Sequence, residues 1–167
     1  MRIYFIGYMG SGKTTLGKEL AAQLHYRFMD LDKQIEKKTQ KTITTIFSTQ
    51  GEDKFRVIEK QELHATKMLR NIVIATGGGT PCSFDNMNWM NEHGTTIYLE
   101  VSAGVLFYRL VKEKEKRPLL KDLTDVELME QIVIHLTTRE SFYKNAKHIV
   151  QGNIKKDNLL KIIKNEL

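Results

Sequence analysis

Arg2-Ile3-Tyr4-Phe5-Ile6-Gly7-Tyr8-Met9-Gly10-Ser11-Gly12-Lys13-Thr14 carries an apolar segment into a glycine-rich turn that ends on lysine and threonine. Gly7–Thr14 fits G-x-x-x-x-G-K-[ST] at every fixed position. Phosphate binding explains each of them. The glycines let the backbone turn with its N–H groups inward, close to phosphate oxygens. A helix starting near Lys13 adds its positive end. Lys13 reaches the β- and γ-phosphates, and the Thr14 hydroxyl takes a place on Mg²⁺. Average residue frequencies give a chance match roughly once in two hundred chains of this length. A phosphate-binding loop is therefore the stronger reading over an accidental glycine turn.

Outward from this loop, strands and helices alternate. Leu16, Leu20, Ala21 and Leu24 repeat at helical spacing, so residues 13–25 form a helix after the strand Arg2–Ile6. A short strand at Arg27–Met29 leads into Asp30-Leu31-Asp32 and a polar helix to Lys38. Ile43–Ser48 and Glu52–Leu69 read as helical, and Asn71–Ala75 holds a buried strand followed by Thr76 and three glycines. A helix over Phe84–His93, a strand over Thr95–Val101 and a helix over Ala103–Glu113 follow. A long helix over Asp125–Ala146, a strand at His148–Gln151 and a closing helix over Ile154–Glu166 complete the chain. Strict alternation predicts one α/β domain over residues 1–167, with a parallel sheet covered on both faces. Residues 31–60 and the charged run 112–121, which has little to bury, read as excursions from it.

Composition narrows the class. The 167 residues are 41% hydrophobic and 28% charged, ordinary for a globular domain. No apolar run approaches the roughly 20 residues needed to cross a bilayer. Ile3–Ile6 stops at Gly7, so it reads as a strand rather than a signal peptide. The single cysteine, Cys82, builds no disulfide framework and suits a reducing cytoplasm. A net charge of +6 fits either a nucleic-acid surface or a site for small anions. The size leaves little room for the accessory parts of a motor, and no Asn-Lys-x-Asp guanine motif is present, so a small-molecule kinase is favoured.

The acceptor must be read elsewhere. Asp30 and Asp32 lie two apart, and on an extended backbone both carboxylates face one cleft. One would sit near Mg²⁺ and one near an acceptor hydroxyl; alternatively Asp32 merely caps the next helix. Arg56 and Glu59 form an i,i+3 pair, which by itself is a weak surface ion pair. Gly77-Gly78-Gly79 weakens any regular element unless something approaches the backbone closely, although a plain tight turn stays open. Arg117, at the tip of the charged run, suits a mobile lid or a solvated loop. Arg139, beside Glu140 and one turn before Tyr143, is open between site and surface.

Together these residues resemble the shikimate kinase family of nucleoside-monophosphate-kinase-like P-loop proteins. The resemblance rests on Gly7–Thr14, Phe28-x-Asp30-x-Asp32, Ile46-Phe47 with Gly51-Glu52, Phe55-Arg56-x-x-Glu59, Gly77-Gly78-Gly79, Arg117-Pro118-Leu119-Leu120, and Arg139 with Tyr143. It implies a five-stranded parallel sheet flanked by helices, with 31–60 as the shikimate-binding region and 112–121 as the lid. It implies transfer of the ATP γ-phosphate to the 3-hydroxyl of shikimate, with Mg²⁺ as cofactor. By matching position, ATP would lie on Gly10, Ser11, Gly12, Lys13, Thr14 and Thr15, with Arg109 stacked on adenine. Mg²⁺ would be bound by Thr14 directly and by Asp30 through water. Asp32 would be the base, and Lys13 and Arg117 would stabilise charge on the transferring group. Asp32, Arg56, Gly77, Gly78, Gly79 and Arg139 would hold shikimate.

Planar guanidinium forks suit a carboxylate, and the positive balance suits two anionic substrates. Shikimate and ATP are then the partners expected of a cytoplasmic monomer, with neither nucleic acid nor membrane. Where the family commonly has proline after the last arginine, this chain has Ser141, which leaves that helix continuous. A gluconate kinase would share the loop but not Phe55-Arg56 with the triple glycine. A noncatalytic basic nucleic-acid module would want aromatic stacking platforms that the basic runs lack.

Overall fold

Ile3, Tyr4, Phe5 and Ile6 have no exposed surface, so β1 (Arg2–Ile6) is covered on both faces. Only a strand inside a two-sided sheet is buried in that way. The computed structural model describes residues 1–114, 120–154 and 156–164. In it β1 pairs with β3 (Ile72–Ala75) on one side and β4 (Thr95–Glu100) on the other. β2 (Arg27–Asp30) lies beyond β3, and β5 (His148–Gln151) beyond β4. The order is β2-β3-β1-β4-β5 with every pair parallel. This is the expected five-stranded parallel sheet.

The period-two alternation of each strand fills two cores. Ile3, Phe5, Val73 and Leu99 pack against α1 (Lys13–Leu24) and α7 (Lys156–Lys164) through Leu20, Leu159 and Ile163. Tyr4, Ile6, Ile74 and Tyr98 face the opposite layer. There they meet Leu31 and Ile35 of α2 (Leu31–Thr39), Phe55 and Leu63 of α3 (Ile43–Ala65), and Met90 of α4 (Asn86–His93). A third cluster joins Leu106 and Leu110 of α5 (Ala103–Glu113) to Leu128 and Ile132 of α6 (Asp125–Tyr143) and to Tyr8. Each such aliphatic side chain contributes about 1.5–3 kcal/mol relative to exposure. No helix of the described residues is long and apolar enough to cross a membrane.

Several boundaries differ from the sequence reading, each for a local reason. β2 reaches Asp30, and Asp32 is not on an extended segment but in the first turn of α2. The cap of α2 is Asp30, not Asp32: its Oδ1 accepts a hydrogen bond from the Lys33 N–H at 3.3 Å. α3 is broken at Gly51, whose φ of 82° and ψ of 169° lie outside helical space, so its two helical segments are the two expected, the second ending at Ala65 rather than Leu69 and followed by a 3₁₀ turn over Thr66–Met68. Phe84 has φ 53°, so the next helix begins at Asn86, after a 3₁₀ turn over Thr80–Cys82. β4 ends at Glu100 and α6 at Tyr143, short of the expected ends. The run 112–121 does bury something, since Leu120 is 1% exposed in the third cluster. Arg117 and residues 115, 116, 118 and 119 lie outside the described residues.

Candidate active site

β1, β2 and β3 each end at the same edge of the sheet, where β1 and β3 lead into glycine turns and β2 leads directly into α2. Because β3 lies between β1 and β2, these three strand ends are neighbours at the carboxyl edge where such sheets bind ligands. Thr76 ties two of them together. Its backbone N–H and its hydroxyl both donate to the Phe5 carbonyl, at 3.1 and 3.0 Å.

The turn after β1 runs through Gly10 and Gly12, with φ of 78° and 102°, directly into α1. Lys13 folds back over it, donating from Nζ to the carbonyls of Gly7 and Tyr8 at 2.8 Å each. Ser11 is fully buried, and its hydroxyl has no hydrogen-bond partner among the described residues. Arg109 of α5 donates from Nη1 to the carbonyls of Gly10 and Ser11, at 3.0 and 3.3 Å. Its guanidinium therefore lies against the loop backbone. Thr15 is exposed in the first turn of α1. The Thr14 hydroxyl donates to Asp30 Oδ2 at 3.1 Å. No cluster of three or more His, Cys, Asp or Glu side chains suited to a metal occurs among the described residues. The Thr14–Asp30 pair does offer two hard oxygens, and a cation that keeps waters and phosphate oxygens in its shell needs few protein ligands.

The turn after β3 explains its three glycines, because each faces a different functional group. A Cβ on Gly77 would sit 2.9 Å from Glu59 Oε1 and 3.0 Å from Asp32 Oδ1. On Gly78 it would meet Arg139 Nη1 at 3.4 Å and the loop carbonyl of Gly7 at 3.6 Å. On Gly79 it would overlap the Arg56 guanidinium. The sequence singled out Asp32, Arg56 and Arg139 from three separate segments; they converge on this one turn.

Arg56 is held firmly. Its Nη1 donates to Glu59 Oε2 at 2.9 Å, and its Nε and Nη2 donate to Glu52 Oε1 at 3.1 and 2.9 Å. Glu59 has no exposed surface, so this is not the weak surface pair that the i,i+3 spacing allowed. Arg139 lies over the Tyr8 ring at 5.7 Å, and the Tyr143 hydroxyl donates to the Gly78 carbonyl at 2.6 Å. Tyr8 in turn hydrogen-bonds His135 Nδ1 at 2.9 Å. Burial and the neighbouring carboxylates of Glu59 and Asp30 push the Asp32 carboxyl up to about 6, against the pull of Lys13. Burial likewise pushes the Cys82 thiol up to about 11, so it is a poor nucleophile.

Glu59, Tyr8, His135 and Thr80 were absent from the sequence-derived site. Glu59 carried a signal in its spacing to Arg56. Tyr8 lay within the marked loop Gly7–Thr14 but at a position the motif leaves open, and His135 and Thr80 carried no signal, because their contacts join residues far apart in the chain.

A family model described as shikimate kinase matches residues 9–166. The shikimate kinase of Bacteroides fragilis is 50% identical over 149 residues, 89% of this chain and 83% of that protein. The crystal structure of a shikimate kinase from Bacteroides thetaiotaomicron is similar with a TM-score of 0.93 and 41% identity, covering 100% of this chain and 99% of that one. A shikimate kinase from Acinetobacter baumannii, solved in complex with shikimate, has a TM-score of 0.89 and 30% identity, over 99% and 93% of the two chains.

Proposed function

The chain belongs to the shikimate kinase family, and we propose that its phosphoryl transfer is carried out by the side chains gathered around Gly77–Gly79. The reaction passes the ATP γ-phosphate to the 3-hydroxyl of shikimate. The donor half is the loop Gly7–Thr14: Gly10, Ser11, Gly12, Lys13, Thr14 and Thr15 hold the phosphates through N–H groups, hydroxyls and the α1 terminus. Lys13 leaves the Gly7 and Tyr8 carbonyls for the phosphates as they enter. Arg109 borders the nucleotide from α5. Thr14 and Asp30 fit Mg²⁺, which when bound supplies charge neutralisation at the phosphates.

Arg56 and Arg139 grip the shikimate carboxylate, with the Gly78 backbone beneath it. Glu59 and Glu52 pre-align the Arg56 fork, so less ordering is required when substrate arrives. Asp32 accepts the proton of the 3-hydroxyl as that oxygen bonds to the γ-phosphorus and the bond to the β-phosphate oxygen breaks. ADP leaves, and Asp32 ends protonated. An Asp32 carboxyl near 6 is ionised at neutral pH yet basic enough to take the proton. Lys13, with Arg117 from the lid, balances charge on the transferring group.

The observation that carries this reading is the convergence of Asp32, Arg56 and Arg139 on one glycine turn beside the phosphate loop. Residues 31–60 then form the acceptor-binding region and 112–121 the lid. The partners are shikimate and ATP, with no nucleic acid or membrane, in a cytoplasmic monomer. A coupled ADP-release assay with shikimate, gluconate, nucleoside monophosphates or water as acceptor tests it. Turnover should require shikimate; equal turnover with gluconate, or with no acceptor, refutes the assignment.

A further inference from the structure

Glu59 is the one charged residue of this site with no exposed surface among the described residues, and a carboxylate so buried needs donors on its oxygens. Its Oε2 is served by Arg56. Its Oε1 accepts from the Thr80 hydroxyl at 2.5 Å. Thr80 is itself fully buried and fixed from two sides. Its N–H donates to the Gly77 carbonyl at 3.2 Å, and its carbonyl accepts from Asn86 Nδ2 at 3.0 Å. A β-branched side chain on a backbone so held has little rotamer freedom. Gly77 lets the whole group close up, since one Cβ there would lie 2.9–3.0 Å from oxygens of Glu59, Asp32 and Thr80 together.

We propose that Thr80 is a positioning residue of the acceptor site: its hydroxyl fixes the Glu59 carboxylate, and Glu59 in turn sets the Arg56 guanidinium and stands against Asp32. This rests on the roles given above to Arg56 and Asp32, and adds the group that orders them. The charged groups around Asp32 are Glu59 from α3, Asp30 from the end of β2, Lys13 from α1 and Glu36 from α2. Of these, Glu59 is the one whose orientation Thr80 controls. Without the hydroxyl, Glu59 Oε1 turns in search of another donor and takes the Arg56 fork with it.

Thr80→Val keeps the shape and removes the donor. Its shikimate KM should rise about tenfold, the effect of losing a hydrogen bond to a charged group, with the ATP KM unmoved. Thr80→Ser, which restores the hydroxyl, should bring the shikimate KM back to within about twofold of wild type. Should the valine variant not melt cooperatively, Thr80→Ala against Thr80→Ser gives the same comparison. A wild-type shikimate KM in the hydroxyl-free variant, or ATP and shikimate KM rising in step, overturns the role of Thr80. Asp32→Asn in the same assay separates the two levels: turnover retained there overturns the reading of Asp32 instead.

Discussion

At Asp32, burial, Glu59, Asp30 and Glu36 all disfavour the ionised carboxyl, and Lys13 alone among the named neighbours favours it. A folded-state value of about 6 against an ordinary 3.8 means that the folded chain binds this proton more tightly than the unfolded one. Ionising Asp32 therefore works against the fold as pH rises from 3.8 to about 6, and the full penalty is present at neutral pH. Asp32→Asn should melt higher than wild type at neutral pH, by about 1–3 kcal/mol or a few degrees. The gap should close on acidification below the ordinary carboxylate value. The same substitution should abolish most turnover, whereas wild-type kcat/KM for shikimate should climb through a limb near 6. Equal melting at neutral pH, or a flat profile between pH 5 and pH 7 in the wild type, would contradict this. Asp32 could be picked out from the sequence for its spacing to Asp30, but the reason given there was wrong. The two carboxylates meet the cleft because a strand ends and a helix begins between them.

α6 brings His135, Arg139 and Tyr143 to the site from its C-terminal half, while its other end is fixed by a capping box. The Thr124 hydroxyl accepts from the Glu127 N–H at 3.2 Å, and Glu127 Oε2 accepts from the Thr124 N–H at 2.7 Å. Thr124→Ala should lower stability by about 1 kcal/mol and the melting temperature by about 2–4 °C. The shikimate KM should stay put, because Tyr8 and the Gly78 turn hold the far end of the helix. A KM that rose with the loss of stability would mean that the cap also places Arg139. Elements like these were the most legible part of the chain. β1, α5 and β5 have the limits that their apolar periodicity indicates. The 3₁₀ turn at Thr80–Cys82 went unread although Pro81 at its start is a local signal for it, because the turn is closed by hydrogen bonds from Thr80 and Cys82 to the Gly77 and Gly79 carbonyls.

Over the whole molecule the net charge of +6 acts on two anionic substrates. Raising salt from about 0.05 to about 0.5 M should lower kcat/KM for both several-fold through loss of steering, with kcat nearly constant. A kcat that fell instead would place the salt effect in the chemistry or in product release. The fold could be read from alternation and from one glycine loop, whereas the site could be read only in pieces. Arg139 and Arg56 reach Gly78 and Gly79 through contacts that no local pattern records, and the burial of Glu59 runs against its own polarity. The sheet order has a further consequence, in the timing of biosynthesis. Ile3 pairs with Val73 and with Thr95, so β1 waits for two later strands before both of its edges are covered. At about 5–20 residues per second, Tyr4-Phe5-Ile6 waits several seconds outside the ribosome with both backbone edges bare. Such a strand is a template for pairing with a neighbouring nascent chain. The central place that makes β1 the floor of the phosphate loop also leaves it open to mispairing until β3 and β4 have been made.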